Sequence, residues 1–188
     1  MKALVVSYSL TGNNGMLAHH LAKLIGADLE ELTVNRKMTN GALALDAMFN
    51  RKPPLAPRAH DPGAYDAVIL VGPVWMGKIA SPLRSYGRDL RGGESPTGGP
   101  LVAFIALCGG ALGKNPKVES QVQRLIGRAP ATVKQLYIND LLPEEQRNDS
   151  KATSAYQVTP ADLDGVWAEE IREFIGAVQR AAVDSAEI

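Results

Sequence analysis

The sequence predicts an α/β protein of three layers, a doubly wound, five-stranded parallel sheet between two layers of helices. Three observations carry the prediction. Ala67–Gly72 and Leu101–Leu107 are apolar nearly throughout, as strands covered on both faces are. Stretches with helical spacing alternate with the strand candidates along the chain. And the chain opens on a strand, a turn rich in hydroxyls and amides, and a helix.

The opening stretch is the most informative. Leu4-Val5-Val6 suits a buried strand, and Ser7, Ser9, Thr11, Gly12, Asn13 and Asn14 follow as a polar turn. From Met16 to Ile25, Leu17, Leu21, Leu24 and Ile25 share one helical face. Gly26 closes that helix, and residues 27–34 alternate apolar and polar, as a half-buried edge strand does. Residues 35–64 read as an inserted excursion: a polar start, a short helical patch with Leu43, Leu45, Met48 and Phe49, then Arg51-Lys-Pro-Pro-Leu-Ala-Pro-Arg58, whose prolines bar a regular element. After the central strand at 67–72, the loop 73–81 leads to a helix from Pro82 to about Leu90, and residues 92–100 are a Gly/Pro/Ser turn cluster. The strand at 101–107, an amphipathic helix at 118–126 and a fifth strand at 132–138 complete the alternation. Residues 139–156 are polar and irregular in pattern. Thr159, Pro160 and Asp162 then mark a helix start, and a last helix carries Leu163, Val166, Trp167, Ile171, Phe174, Ile175 and Val178 at core spacing.

Length and charge narrow the function. At 188 residues the chain suits one domain, 1–188, with a substantial core. Twenty basic and twenty acidic residues cancel, which argues against a nucleic-acid binder. One cysteine excludes a disulfide framework and suits a reducing compartment. No stretch approaches the roughly 20 apolar residues of a membrane span, and no leader pattern precedes the first strand, so a cytoplasmic protein without membrane insertion is the expectation.

In a doubly wound sheet, ligands bind beyond the carboxyl ends of the strands. Three loops fall there: Ser9–Asn14, Pro73–Ile79 and Cys108–Gly113. The first combines free helix N–H groups with hydroxyls, a phosphate site that needs no cation, and equally an ordinary capping turn. Trp75 reads as a plug under its loop or as a flat wall for a planar ring. The paired glycines Gly109 and Gly110 suit close backbone approach to a ligand, or a plain turn. Gly72–Ile79 nearly matches a phosphate-binding P-loop and fails at Ile79, which has no hydroxyl for a metal. One Cys and three His show no metal-ligand spacing. His19 and His20 are adjacent on a helix and point about 100° apart, as surface or interface residues.

Taken together, Ser9-Leu-Thr-Gly-Asn13, Tyr65-Asp-Ala-Val-Ile-Leu-Val-Gly-Pro-Val-Trp-Met-Gly77 and Phe104-Ile-Ala-Leu-Cys-Gly-Gly110 resemble the flavodoxin-like family of FMN-binding proteins, in its longer form with a segment inserted before strand three. The resemblance covers nearly the full chain and implies strand order 2-1-3-4-5. It implies that Ser9, Thr11, Gly12, Asn13 and Asn14 hold the FMN phosphate. Pro73, Val74, Trp75, Met76 and Gly77 would border the ring on one side, and Cys108, Gly109 and Gly110 on its other edge. It implies redox chemistry supplied by the flavin, with a small-molecule or protein redox partner, a homodimer being possible, and no catalytic side chain. Small electron-carrying members are acidic; this neutral chain suits a reductase of quinone-like acceptors better than a shuttle that docks through a charged face. Asn14 stands where that family usually has Thr or Ser, which keeps open a module that retains the fold without flavin. A third reading makes Cys108 a hydrolytic nucleophile with a histidine as its base.

Overall fold

The computed structural model describes residues 1–35, 39, 45–46, 49–75, 77–91, 99–109 and 115–186. Its main sheet is built from β1 (Ala3–Ser7), β2 (Asp28–Glu31), β3 (Ala67–Val71), β6 (Leu101–Cys108) and β7 (Val133–Tyr137), in the order β2-β1-β3-β6-β7 and parallel throughout. Among these five strands that is the order 2-1-3-4-5. Register is set by burial: Leu4 lies beside Val68 and Val68 beside Val102, so each row of side chains stays on one face.

Because both faces are covered, alternate residues of the three central strands feed two separate cores. On one face, Val5, Ile69 and Ile105 pack with Leu17 and Leu21 of α1 (Asn13–Ile25) and with Trp167, Ile171 and Phe174. On the other, Leu4, Leu70 and Phe104 pack with Leu83 and Tyr86 of α2 (Ser81–Tyr86) and with Val118, Val122 and Ile126 of α3 (Lys117–Ile126). Each fully buried Leu or Ile contributes about 1.5–3 kcal/mol.

The structure departs from the sequence expectation in several places, among them the helix expected to reach about Leu90, which ends at Tyr86. Helix α1 begins at Asn13, three residues before the apolar spacing starts, because the first turn is anchored by polar side chains. The loop after β3 is a small antiparallel hairpin, β4 (Val74–Trp75) with β5 (Lys78–Ile79), turning at Gly77 with φ +74°. Residues 139–156 carry short turns of 3-10 helix and α4 (Ser150–Ala155), capped by the Asp149 carboxylate. The last helix is broken at Gly165 into α5 (Pro160–Asp164) and α6 (Ala168–Ala186). The capping box at Thr159 and Asp162 is present as expected.

The later part of the excursion covers the edge of the sheet. Val34 bridges Leu55, and the Ala56 N–H donates to the Thr33 carbonyl at 2.8 Å. The buried Glu30 carboxylate of β2 accepts from the N–H groups of Ala59 and His60, both at 2.9 Å. Arg84 of α2, also buried, donates to the Asp46 carbonyl and the Asn50 side chain, and Ser81 donates to the Asp46 carboxylate at 2.8 Å. Leu43 and Met48 of the expected helical patch lie outside the described residues.

Candidate functional site

Three strand ends meet at the carboxyl edge of β1, β3 and β6, and each loop there is tied to the next. The first runs from Ser7 to the start of α1. Ser9 Oγ accepts from the Gly12 N–H at 3.0 Å, which closes a tight turn and leaves Gly12 at φ +94°. A side chain at that φ is strained, although a Cβ there would meet nothing within 4 Å. The helix that follows has no side-chain cap and no acidic residue in its first turn. Leu10, Thr11 and Gly12 are exposed. The turn thus leaves an open, uncapped, partly positive helix end.

Asn13 and Asn14 do something the sequence did not show. The Asn14 amide donates to the Leu107 carbonyl at 3.1 Å and accepts from the Leu107 N–H at 2.9 Å. The Asn13 amide donates to the Tyr156 carbonyl at 2.9 Å and accepts from the Val158 N–H at 3.0 Å. Both residues are about 95% buried. Their side chains therefore pin the turn to β6 and to the segment before α5. Each side-chain amide is engaged with the protein backbone, and the backbone N–H groups of both residues belong to the helix end.

The second loop is the β4–β5 hairpin. Gly72 precedes it, where a Cβ would lie 2.5 Å from Leu83 Cδ1 and 3.0 Å from the Tyr8 carbonyl oxygen, so this close approach needs glycine. Trp75 is half-buried, packs on the core and meets Tyr8 edge to face, ring centroids 5.9 Å apart. The hairpin is latched by Gln121 of α3 and by Asn115, two residues before that helix: Asn115 Nδ2 and Gln121 Nε2 donate to the Gly77 carbonyl at 3.1 and 2.7 Å, and Gln121 Oε1 accepts from the Ile79 N–H at 3.2 Å. The segment that nearly matches a P-loop is thus a hairpin, with its turn carbonyl bound by amides. Met76 lies outside the described residues.

At the third loop, the Cys108 sulfur meets the backbone of Val74, and burial pushes its thiol up to about 11. Burial likewise raises Tyr137 to about 12, with the nearby Cys108 adding to it. Gly109 is exposed beside Thr153 of α4, and Gly110 lies outside the described residues. A nucleophilic thiol needs a lowered pKa and a basic partner. Cys108 has its thiol raised instead. His60 contacts the Tyr65 hydroxyl at 2.7 Å, while His19 and His20 lie beside Glu31 and Asp164. The Cys108 hydrolase reading is set aside on that chemistry.

Of the thirteen candidate residues, the described ones gather at this edge: Tyr8 links the first loop to Trp75, Val74 touches Cys108, and Asn14 binds the end of β6. Sequence reasoning missed Tyr8, Asn115, Gln121 and the Tyr156–Val158 segment. Only the alternation of β1, continued to Tyr8, could have pointed to one of them. Among the described residues no group of His, Cys, Asp and Glu could hold a metal, and no helix is long and apolar enough to cross a membrane.

No protein-family model matches the chain, and no curated protein is similar to it in sequence. Solved structures are similar in fold. A flavoprotein from Lactobacillus acidophilus, crystallised in complex with FMN, is 20% identical with a TM-score of 0.58, covering 71% of this chain and 92% of that one. A flavoprotein, so described, from Bacteroides uniformis is 16% identical with a TM-score of 0.61, covering 81% and 95%. One from Bacteroides eggerthii is 18% identical with a TM-score of 0.59, covering 82% and 94%. With its parallel order 2-1-3-4-5 and these neighbours, the chain has the flavodoxin-like fold.

Proposed function

We propose that this protein binds FMN non-covalently and takes part in electron transfer or in NAD(P)H-dependent reduction of a quinone-like acceptor. One observation carries the reading. The uncapped N-terminus of α1 opens at the point where the strand order reverses between β1 and β3, the place where this fold class takes its ligands. The fit of the residues to a phosphate is good: exposed Thr11, glycine at φ +94°, backbone N–H groups at the helix start, and no acidic residue in the first turn. Ser9, Thr11, Gly12 and the backbones of Asn13 and Asn14 would hold the phosphate. Pro73, Val74, Trp75, Met76 and Gly77 would flank the ring on one side, with Cys108, Gly109 and Gly110 on the other. A flavin bound there would supply the redox chemistry, passing a hydride or electrons between donor and acceptor. The chain itself orients: Trp75 is steadied by Tyr8 and by the latched hairpin, and Cys108 stays a neutral thiol, adding no charge to the slot. The net charge of zero favours a small acceptor over docking through a charged face.

Titration of the apoprotein with FMN and with riboflavin tests this. Wild type should bind FMN, and Gly12→Val should weaken FMN at least tenfold while changing riboflavin little, with circular dichroism showing the variant folded. A wild type indifferent to FMN, or a folded Gly12→Val that binds it equally well, removes the reading.

A further inference from the structure

A cavity lies apart from the α1 mouth. It is an open cleft of about 1060 Å³ between the returning excursion, residues 52–62, and Ser85 of α2 with Arg88 and Asp89 in the turn that follows it. That volume is at the upper end of small-molecule sites. Its walls carry an imbalance of charge that the chain does not resolve by itself. Each carboxylate in the lining has a partner: for Asp89 it is the Arg58 guanidinium at 2.5 Å, and for Asp61 it is the uncharged Gly63 N–H at 3.0 Å. The cations beside the cleft are committed too. Arg84 is bound to Asp46 and Asn50, and Arg91 to the carbonyls of Arg124 and Leu125. His60 is held by the Tyr65 hydroxyl. That leaves Lys52 and Arg88, both in the lining, whose side chains have no carboxylate or other hydrogen-bond partner among the described residues.

They are not independent surface charges. Lys52 is half-buried just before Pro53 and Pro54, within the electrostatic reach of Arg88, Arg91 and Arg84. Burial and these three guanidiniums lower its pKa, the signature of like charges held together. The lining itself carries three cations, Lys52, Arg58 and Arg88, against two carboxylates, Asp61 and Asp89, and among the described residues only Arg58 of the three is ion-paired. A bound oxyanion relieves that repulsion, and an ammonium with a forked guanidinium is the donor set that takes one.

We propose that this cleft is a second ligand site, in which Lys52 and Arg88 bind the phosphate or diphosphate group of a small molecule whose remainder lies along the Pro53–Pro57 wall. The site is separate from the α1 mouth and does not depend on the flavin reading.

Isothermal titration of the full chain with pyrophosphate at low ionic strength, alongside inorganic phosphate, tests the assignment. Wild type should bind pyrophosphate more tightly than phosphate. The Lys52→Gln/Arg88→Gln double variant should lose at least tenfold in pyrophosphate affinity and keep its FMN titration unchanged; Arg88 is exposed, and neither side chain has a hydrogen-bond partner among the described residues, so a thermal melt like that of wild type is expected. Gly12→Val should leave pyrophosphate binding intact. Absence of wild-type binding overturns the proposal. So does binding that survives the double variant; if Gly12→Val abolishes that binding, the anion belongs to the α1 mouth and the flavin reading is left standing.

Discussion

Asn14 shows how a residue's type can be legible while its partner in the fold is not. Its amide is a donor and an acceptor at the head of a helix, which in sequence suggests a cap or a phosphate contact. The partners it has are the N–H and carbonyl of Leu107, 93 residues away, and those of Asn13 are more than 140 residues away. No local pattern encodes such a pairing, so this part of the site was illegible while Ser9, Thr11 and Gly12 were not. Asn14→Ala should destabilise the protein by about 2–4 kcal/mol, since two buried backbone groups lose their partners. Urea denaturation would measure it, and a loss under 1 kcal/mol would mean that water replaces the amide. Cys108 supports a second prediction. Its folded pKa, about 11, lies above the ordinary value of 9.0, so the folded state holds the proton more tightly. The resulting stability is full below pH 9 and drains away as pH rises towards 11, by about 2 kcal/mol. Wild type should therefore lose more stability than Cys108→Ala between pH 8 and pH 10.5 in urea melts, and parallel losses would refute the shift.

For the elements, the legible features were those with local causes. Thr159, Pro160 and Asp162 form the expected capping box, and the apolar runs of β3 and β6 are the central strands. The β4–β5 hairpin was not legible, because two-residue strands have no periodicity and this turn is held from outside. Gln121 and Asn115 supply that hold at the Gly77 carbonyl. Gln121→Leu should free the hairpin without melting α3, lowering global stability by about 1 kcal/mol. Amide exchange at Ile79 should quicken and Trp75 emission should shift to the red, with Trp167, buried in the other core, as an unchanged background. Unchanged exchange at Ile79 would show the hairpin to be held by Tyr8 and Cys108 instead.

At the scale of the whole molecule, element order was enough to expect the parallel sheet, and burial on both faces explains why: only a doubly covered sheet makes central strands so uniformly apolar. The course of the excursion could not be read, since its prolines say only what it is not. Its return path shields the outer edge of β2 through Glu30, whose carboxylate takes two N–H groups that would otherwise face water. Glu30→Ala should release residues 51–61, raising the rate of limited proteolysis there several-fold and costing roughly 2 kcal/mol. Mass spectrometry of the fragments would locate the cuts, and a digestion pattern like that of wild type would mean that the Val34–Leu55 bridge and Arg84 suffice.

The inward turn of Asn13 and Asn14 separates two duties within one short stretch. Architecture is entrusted to the pair that faces the interior, so Leu10 and Thr11 answer only to whatever arrives from outside. Variation at that exposed tip should cost little in folding yield, which makes it the natural place to diversify this scaffold.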